Sequence, residues 1–268
     1  MSFAGLPMYD LPELRWAHDA WWQALARAFR AAGIVEVPSA LDRTLGHREL
    51  WARPDLLFGQ ACGYPLTHEF ADRLALVATP CYAAAGCDGA SYRSWILVRD
   101  DSVVTRLEQL AGSRAAINDR ASQSGCNALK ALVAPLAKDG RFFASVAVTG
   151  GHLASIAAVR EGRADVAAID CVTYALLARH RPSALFGTRV IAASGSAPAL
   201  PYVAAIATDA PMLERLKAGL RAALADRASQ AARAALLIAG VEFLPLAAYG
   251  VIQAQERAAA ELDYPELA

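Results

Sequence analysis

Two spacings of apolar residues alternate along the chain, one typical of amphipathic helices and one of buried strands. Residues Glu13 to Ala32 carry apolar side chains every three or four positions, which predicts a helix that ends at Gly33. Short apolar runs bounded by glycine or proline predict strands, the first of them almost at the N-terminus. The others are Ile34–Val37, Asp55–Gly59, Leu74–Thr79, Trp95–Val98, Arg114–Ile117, Phe142–Val148, Asp165–Ile169, Val190–Ala193 and Tyr202–Ala207.

Helical patterns lie between most of the later strands, and a longer helical region closes the chain. The internal helices are predicted over Thr105–Leu110, Ser124–Ala137, His152–Glu161 and Val172–Arg179. From Ala210 onward the pattern is almost wholly helical, with a break near Pro245. The alternation of strands and helices over short connections predicts an α/β protein built on parallel sheets.

The composition narrows the classes of protein that the chain can belong to. Of 268 residues, 56% are hydrophobic and 19% are charged, so the chain can bury a sizeable core in one large or two modest lobes. The formal net charge is zero, which argues against nucleic-acid binding as the main role. No apolar run approaches the roughly 18 residues of a membrane-spanning helix.

The N-terminal residues and the cysteines indicate neither export nor a metal site. Met1–Asp10 has no basic segment and no long apolar stretch, so the chain as written is expected to be cytoplasmic. The five cysteines are too few for a disulfide scaffold, and their spacing matches no usual zinc pattern. They are Cys62, Cys81, Cys87, Cys126 and Cys171.

The most informative stretch for chemistry is Asn118–Asn127, between a predicted strand and a predicted helix. Ser122, Ser124 and Gly125 place hydroxyl groups and backbone N–H groups at one helix start, a combination that suits an anion. The alternative is a plain serine N-cap, which the local sequence alone favours.

Two further candidates stand at the ends of later strands. His152 follows Gly150–Gly151 and begins a helix, where the helix field favours the neutral imidazole; a surface or capping histidine is the alternative. Asp170 ends a strand, the place where α/β proteins carry ligand groups, or else caps the next helix. Asp165, at the start of the same strand, is expected to be structural.

Sequence motifs of common enzymes are absent. The chain contains no phosphate-binding G-x-x-x-x-G-K-[ST] loop, no dinucleotide-binding G-x-G-x-x-G, no G-x-S-x-G nucleophile turn and no H-E-x-x-H zinc motif. These absences favour a binding protein over a hydrolase or kinase, with no cofactor and no metal.

Several blocks together resemble one protein family. Tyr92–Ser102 and Leu107–Ala115 are similar to a strand, charged turn and L-x-x-L-x-G segment of substrate-binding proteins. The blocks Ser122–Gly125, Gly151–His152 and Gly162–Asp170 resemble the phosphate- and phosphonate-binding (PhnD-like) components of ABC transporters. Their order and spacing match over most of the chain.

The resemblance implies a two-lobed type II periplasmic-binding fold with a helical C-terminal region. Lobe one would comprise residues 1–96 and 199–268, and lobe two residues 97–198. Two hinge strands would join the lobes, with the ligand in a cleft between them.

The resemblance also implies the residues that hold the ligand. The implied ligand-binding residues are the serine turn, one histidine, one aspartate and three aromatic residues. They are Ser122, Gln123, Ser124, Gly125, His152, Asp170, Tyr92, Tyr9 and Tyr64. Gln123 departs from the family pattern, which usually has threonine there.

The expected function is capture of phosphate, phosphite or a phosphonate-like oxyanion by hinge closure for an ABC transporter, without catalysis. The alternative is an enzyme or cytoplasmic ligand sensor on the same fold, similar to pyrimidine-synthesis proteins. The expected partners are the oxyanion and, if the protein is exported, an ABC permease; nucleic acid is not expected, and the protein would be a monomer. By resemblance its location is periplasmic.

One disulfide is a further expectation. Cys62 and Cys87 both lie in glycine-containing loops after predicted strands of lobe one, so they are expected to pair in an oxidising compartment. The alternative is five thiols in a cytoplasmic protein.

Overall fold

The computed structural model describes residues 2–268, in which strands and helices alternate. The strands are β1 (Phe3–Gly5), β2 (Leu56–Gln60), β3 (Leu74–Tyr82), β4 (Ser91–Tyr92), β5 (Ser94–Arg99), β6 (Arg114–Ile117), β7 (Ser145–Val148), β8 (Val166–Asp170), β9 (Thr188–Ala193), β10 (Ala197–Pro198), β11 (Tyr202–Ala205) and β12 (Ile238–Glu242). The α-helices are α1 (Arg15–Ala31), α2 (His47–Trp51), α3 (Gly63–Thr67), α4 (Ala128–Val133), α5 (His152–Arg160), α6 (Cys171–His180), α7 (Ala210–Ala225), α8 (Gln230–Ala235) and α9 (Gly250–Glu261).

The chain forms two compact units. The first comprises residues 1–83 and 198–248, and the second residues 84–197 and 249–268. This division differs from the expected lobes at two places. Residues 84–96 and the C-terminal segment 249–268 both belong to the second unit, whereas the sequence analysis assigned them to lobe one.

The first unit is built on a five-stranded mixed sheet with the order β1-β2-β11-β3-β12. β1 and β2 are parallel, whereas β11 runs antiparallel to both of its neighbours and β12 antiparallel to β3. The expected parallel pairing is therefore found in this sheet only between β1 and β2. Aromatic side chains of α1 fill the core, with the rings of Trp22, Phe29 and Phe58 in mutual contact.

The second unit has its own five-stranded sheet, in the order β7-β6-β8-β5-β9. β6 pairs in parallel with β7 on one side and with β8 on the other. β5 runs antiparallel to β8 and β9, so this sheet is mixed as well. The three parallel strands are the ones that position the candidate site.

The C-terminal segment completes the second unit. Helix α9 packs against α4. The last carbonyl, that of Ala268, accepts hydrogen bonds from the backbone N–H groups of Phe142 and Phe143 at 2.8 and 2.9 Å. Because the N–H groups of Phe142 and Phe143 bond to Ala268 and not to a neighbouring strand, the predicted strand Phe142–Val148 begins only at Ser145.

Three predicted elements are wrong for identifiable reasons. Ile34–Val37 forms no strand, and Val35 is 92% exposed. The predicted end of a strand before Pro80 is also wrong, because β3 continues through Pro80 to Tyr82 and pairs there with β12. β12 itself interrupts the region that was expected to be wholly helical after Ala210.

Candidate functional site

Three predicted segments meet at one edge of the second sheet. Because β7, β6 and β8 are adjacent and parallel, their carboxyl ends lie on the same side. The segments that follow these ends contain Ser122–Gly125, His152 and Asp170, respectively after β6, β7 and β8. This edge is where α/β proteins usually bind ligands, and the residues that the sequence selected at strand ends lie together at it.

Ser122 caps the helix that follows β6. Its hydroxyl oxygen accepts a hydrogen bond from the Gly125 N–H at 3.0 Å, and both residues are buried. The first turn, Gln123–Asn127, is a wide π-type turn that continues into α4. The Ser122 oxygen is thus used in capping, whereas its hydroxyl proton can still be donated to a ligand.

Gln123 anchors the helix start within its own unit. Its side-chain amide donates to Gln255 of α9 at 2.7 Å, and its side-chain oxygen accepts from Asn127 at 2.8 Å. Gln123 is buried, so its amide ties the start of this helix to the C-terminal helix. This packing role gives a physical reason for glutamine at a position where the family pattern has threonine.

Ser124, His152 and Asp170 form a continuous polar chain. His152 Nε2 lies 3.0 Å from Ser124 Oγ and 3.3 Å from Asp170 Oδ2. A carboxylate only accepts hydrogen bonds, so a proton on Nε2 satisfies this arrangement. Nε2 then donates toward both oxygen atoms, which leaves the Ser124 hydroxyl free to donate its own proton elsewhere.

Asp170 is also the N-cap of α6, the alternative raised by the sequence. Its Oδ1 accepts from the Thr173 N–H at 2.8 Å, and its Oδ2 accepts from the Thr173 hydroxyl. Asp170 is therefore both a helix cap and the carboxylate beside His152. Both of its oxygens already accept hydrogen bonds within the protein.

The order of these three residues is not that of a catalytic triad. In a triad the carboxylate holds one ring nitrogen of histidine while the nucleophilic serine hydrogen-bonds the other nitrogen. Here Ser124 and Asp170 both contact Nε2 of His152. Asp170 thus does not orient the imidazole to take a proton from Ser124, and the geometry suits binding better than nucleophilic catalysis.

His152 is buried, and burial lowers its pKa, opposed by the charge of Asp170 and by the Ala168 carbonyl. The neutral form therefore prevails in the folded protein at neutral pH, as the sequence predicted for a helix start. The unfolded chain takes up a proton near pH 6.5, so the free energy of unfolding is expected to decrease as the pH falls below about 6.5.

We expect His152→Gln to make the stability of the second unit less sensitive to acid. Denaturant titrations between about pH 5 and pH 8 measure this as a smaller slope of unfolding free energy against pH than in the wild type. His18 in the first unit also has a pKa lowered by burial and supplies a remaining slope. Equal slopes for the variant and the wild type would contradict the buried neutral state of His152.

Of the three predicted tyrosines, two belong to the first unit and one to the second. Tyr92 belongs to the second unit and is 2% exposed. Tyr9 is buried in the first unit and packs edge-on against Tyr82, while Tyr64, also in the first unit, stacks on His68. Their ligand contacts stay predictions.

The sequence analysis left out two residues that shape the helix start. Asn118 follows β6 directly, and its side-chain oxygen is packed against the α-carbon of Gly125. The hydroxyl of Ser94 in β5 donates to the Ser124 carbonyl at 2.9 Å. The position of Asn118 at a strand end could have identified it, whereas the contact of Ser94 is a long-range one without a local signal.

Arg93 is a third residue that the sequence analysis missed. Its carbonyl accepts the Cys171 N–H at 2.9 Å, which places it beside the start of α6. Its side-chain Nε is buried and has no hydrogen-bond partner among residues 2–268. An arginine at this edge of the sheet is a candidate for binding an anion.

The expected pairing of Cys62 with Cys87 is not formed. No disulfide joins cysteines within residues 2–268, and the two residues belong to different units. The Cys87 sulfur instead lies 3.5 Å from that of Cys171, a contact within the second unit. Within the same described range, no cluster of three or more metal-binding side chains is found.

The sequence of the chain matches one known protein family over most of its length. A sequence model of the ABC transporter, phosphonate, periplasmic substrate-binding protein family matches residues 53–246. The chain belongs to this family. As a substrate-binding protein, it binds a solute for an ABC transporter, which confirms the expected function class. No curated protein matches it in sequence.

Solved structures confirm the type II periplasmic-binding fold of this substrate-binding protein. PhnD1 from Prochlorococcus marinus, in complex with methylphosphonate, has a TM-score of 0.76 at 12% identity, covering 97% of this chain and 98% of that one. A binding component of an ABC phosphonate transporter from Pseudomonas aeruginosa has a TM-score of 0.75 at 14% identity, covering 98% and 87%. XAC2383 from Xanthomonas citri, bound to ATP, has a TM-score of 0.71 at 17% identity, covering 97% of each chain.

None of the helices within residues 2–268 of this substrate-binding protein is long and apolar enough to cross a membrane. The family to which it belongs is periplasmic.

Proposed function

We propose that this substrate-binding protein captures a phosphonate, phosphate or phosphite at the edge of the second sheet formed by the ends of β6, β7 and β8. Ser122 and Ser124 donate their hydroxyl protons to the oxyanion. The contact of 3.0 Å between Ser124 Oγ and His152 Nε2 carries this proposal, because with the proton on Nε2, as the neighbouring Asp170 carboxylate favours, the Ser124 oxygen accepts and its own proton is left for the ligand.

The N-termini of helices attract the anion electrostatically. Three helices begin at this edge: the one that starts at Gln123, α5 at His152 and α6 at Cys171. Each helix start carries the equivalent of about half a positive charge, and anions are stabilised there. With His152 neutral, these helix starts and Arg93 offset the negative charge of Asp170.

Asp170 selects among oxyanions. A buried carboxylate near the ligand disfavours a second full negative charge, by about 2 kcal/mol for unit charges ~8 Å apart at an effective dielectric constant of about 20. Phosphonate and phosphate monoanions carry a single negative charge, and each has an OH group that can donate a hydrogen bond. Sulfate is a dianion without a proton at neutral pH, so we expect it to bind more weakly than methylphosphonate.

A thermal-shift screen against methylphosphonate, phosphate, phosphite and sulfate tests this proposal. A ligand at a hundredfold excess over its Kd stabilises the protein by about 2.7 kcal/mol, which is a measurable rise in Tm. We expect the phosphorus oxyanions to raise the Tm and sulfate to raise it less. No shift with any of the four would contradict oxyanion binding.

Asp170→Asn is expected to move the preference toward sulfate by about tenfold or more relative to methylphosphonate. Asparagine can keep the cap on the Thr173 N–H, but its amide NH2 cannot accept from the Thr173 hydroxyl or from His152, so the Tm of the unliganded protein should fall, and the ratio of affinities is the readout. Calorimetric titrations of the wild type and the variant with both anions near pH 7 measure the ratio of affinities. An unchanged ratio would remove Asp170 as the selector.

A further inference from the structure

Two cysteines of the second unit lie side by side although 84 residues separate them in the sequence. The sulfur atoms of Cys87 and Cys171 are 3.5 Å apart. The bonded distance in a disulfide is about 2.05 Å, so an approach of roughly 1.5 Å would join them. The oxyanion site makes no use of either thiol.

The loop that carries Cys87 lies close against the start of α6, where Cys171 stands. The Cys171 N–H donates to the Arg93 carbonyl at 2.9 Å, and the Cys87 N–H donates to the Ala84 carbonyl at 3.0 Å. A side chain added at Gly86 would approach the Cys171 Cβ to 3.0 Å, so the loop passes directly over the start of α6. Gly86 and Gly89, both with positive φ, flank Cys87 and give this loop conformations that other residues rarely adopt.

The two thiols differ in access and in acidity. Cys87 is half-buried, whereas Cys171 is fully buried at the first position of α6. The hydrogen bond between them lowers the pKa of Cys171 and raises that of Cys87. Cys87 is the more accessible of the two sulfurs. An external oxidant would therefore meet Cys87, and Cys171 would complete the reaction.

We propose that Cys87 and Cys171 are a dithiol site that a small-molecule disulfide, such as oxidised glutathione, converts to an intramolecular disulfide. The Cys87 sulfur loses its proton as it attacks the external disulfide, and it releases one glutathione thiolate, which takes up a proton. The Cys171 thiolate then attacks the Cys87 sulfur of the mixed disulfide and releases the second. The two protons of the cysteines pass to the two released glutathione thiolates, and the external disulfide is reduced as the cysteines are oxidised.

The other three cysteines offer no comparable partner. Cys62 and Cys81 belong to the first unit, and the Cys81 thiol donates to Glu242 at 3.7 Å. Cys126 is buried in the hydrophobic core of the second unit. The proposed bridge thus replaces the pairing of Cys62 with Cys87 that the sequence suggested.

Peptide mapping of the full chain after incubation with oxidised glutathione tests the site. We expect the wild type to yield a disulfide-linked peptide pair that contains Cys87 and Cys171 and that disappears on reduction. The Cys81→Ser variant, which removes a half-buried thiol of the first unit, is the matched control and should form the same pair. A link between Cys87 and Cys62, or Cys87 and Cys171 both still alkylated as thiols at equilibrium, would overturn the proposal.

Single variants test the assigned order of the two sulfurs. Cys171→Ala should trap glutathione on Cys87, because no second thiol can displace it. Cys87→Ser should carry no glutathione on the buried Cys171. The reverse pattern would contradict the assignment. These readouts involve no oxyanion, so they can fail or succeed independently of the proposed transport function.

Discussion

Gly125→Ala is expected to abolish oxyanion binding and to lower the Tm of the protein. A Cβ at this position would overlap the side-chain oxygen of Asn118 and lie 2.8 Å from its Cγ. Because two atoms of the amide are too close, turning the amide alone does not relieve the overlap. Such overpacking typically costs about 1–3 kcal/mol, and the shift would move the hydroxyls of Ser122 and Ser124.

Two variants control this prediction. Gly151→Ala, beside the start of α5, places a Cβ with no atom within 4 Å and should behave as the wild type. Adding Asn118→Ala to Gly125→Ala removes the obstacle and should recover the Tm. Thermal unfolding and calorimetric titration with methylphosphonate measure both effects. Wild-type binding by Gly125→Ala would show that the packing of this helix start is not needed for the site.

Ser124→Ala is expected to weaken methylphosphonate binding by roughly tenfold to a hundredfold. Loss of a hydrogen bond to a charged group costs about 1.5–3 kcal/mol, and each 1.4 kcal/mol is a factor of ten in Kd. Ser124 is buried, and the substitution also removes the oxygen that faces His152 at 3.0 Å.

Calorimetric titration of the wild type and Ser124→Ala gives the two Kd values directly. Ser183→Ala changes an exposed serine of the same unit and is the matched control, with the affinity of the wild type expected. The unliganded Tm of both variants shows whether the fold is kept. An unchanged Kd in a folded Ser124→Ala protein would remove Ser124 from the site.

Strands and helices whose residues show a clear local pattern of apolar and turn residues were predictable from the sequence. Elements whose conformation depends on pairing with a distant segment were not. The sequence predicts a strand over Arg114–Ile117, and β6 has the same bounds. This strand was predictable because a short, largely apolar run stands between clear turns. The apolar run Ile34–Val37 has the same appearance but forms no strand in the part of the chain that the structure describes. β12 was missed because its alanine and glycine have a low propensity for strands. Its conformation is determined by its pairing with β3.

The sequence could predict which strand ends contribute residues to the candidate site. It could not predict the contacts between their side chains. Parallel order alone brings Ser124, His152 and Asp170 to one edge. The shared Nε2 of His152, and the use of both Asp170 oxygens in a helix cap, depend on side-chain orientation that spacing does not reveal. The contact between Cys87 and Cys171 spans 84 residues and has no local signal, which is why the sequence could not indicate it.

A crystal structure of the protein with methylphosphonate tests the central claim most directly. The account predicts phosphonate oxygens within about 2.5–3.0 Å of the hydroxyls of Ser122 and Ser124, at the distance of charge-assisted hydrogen bonds. A phosphonate bound elsewhere, with both hydroxyls making no contact to it, would contradict the account.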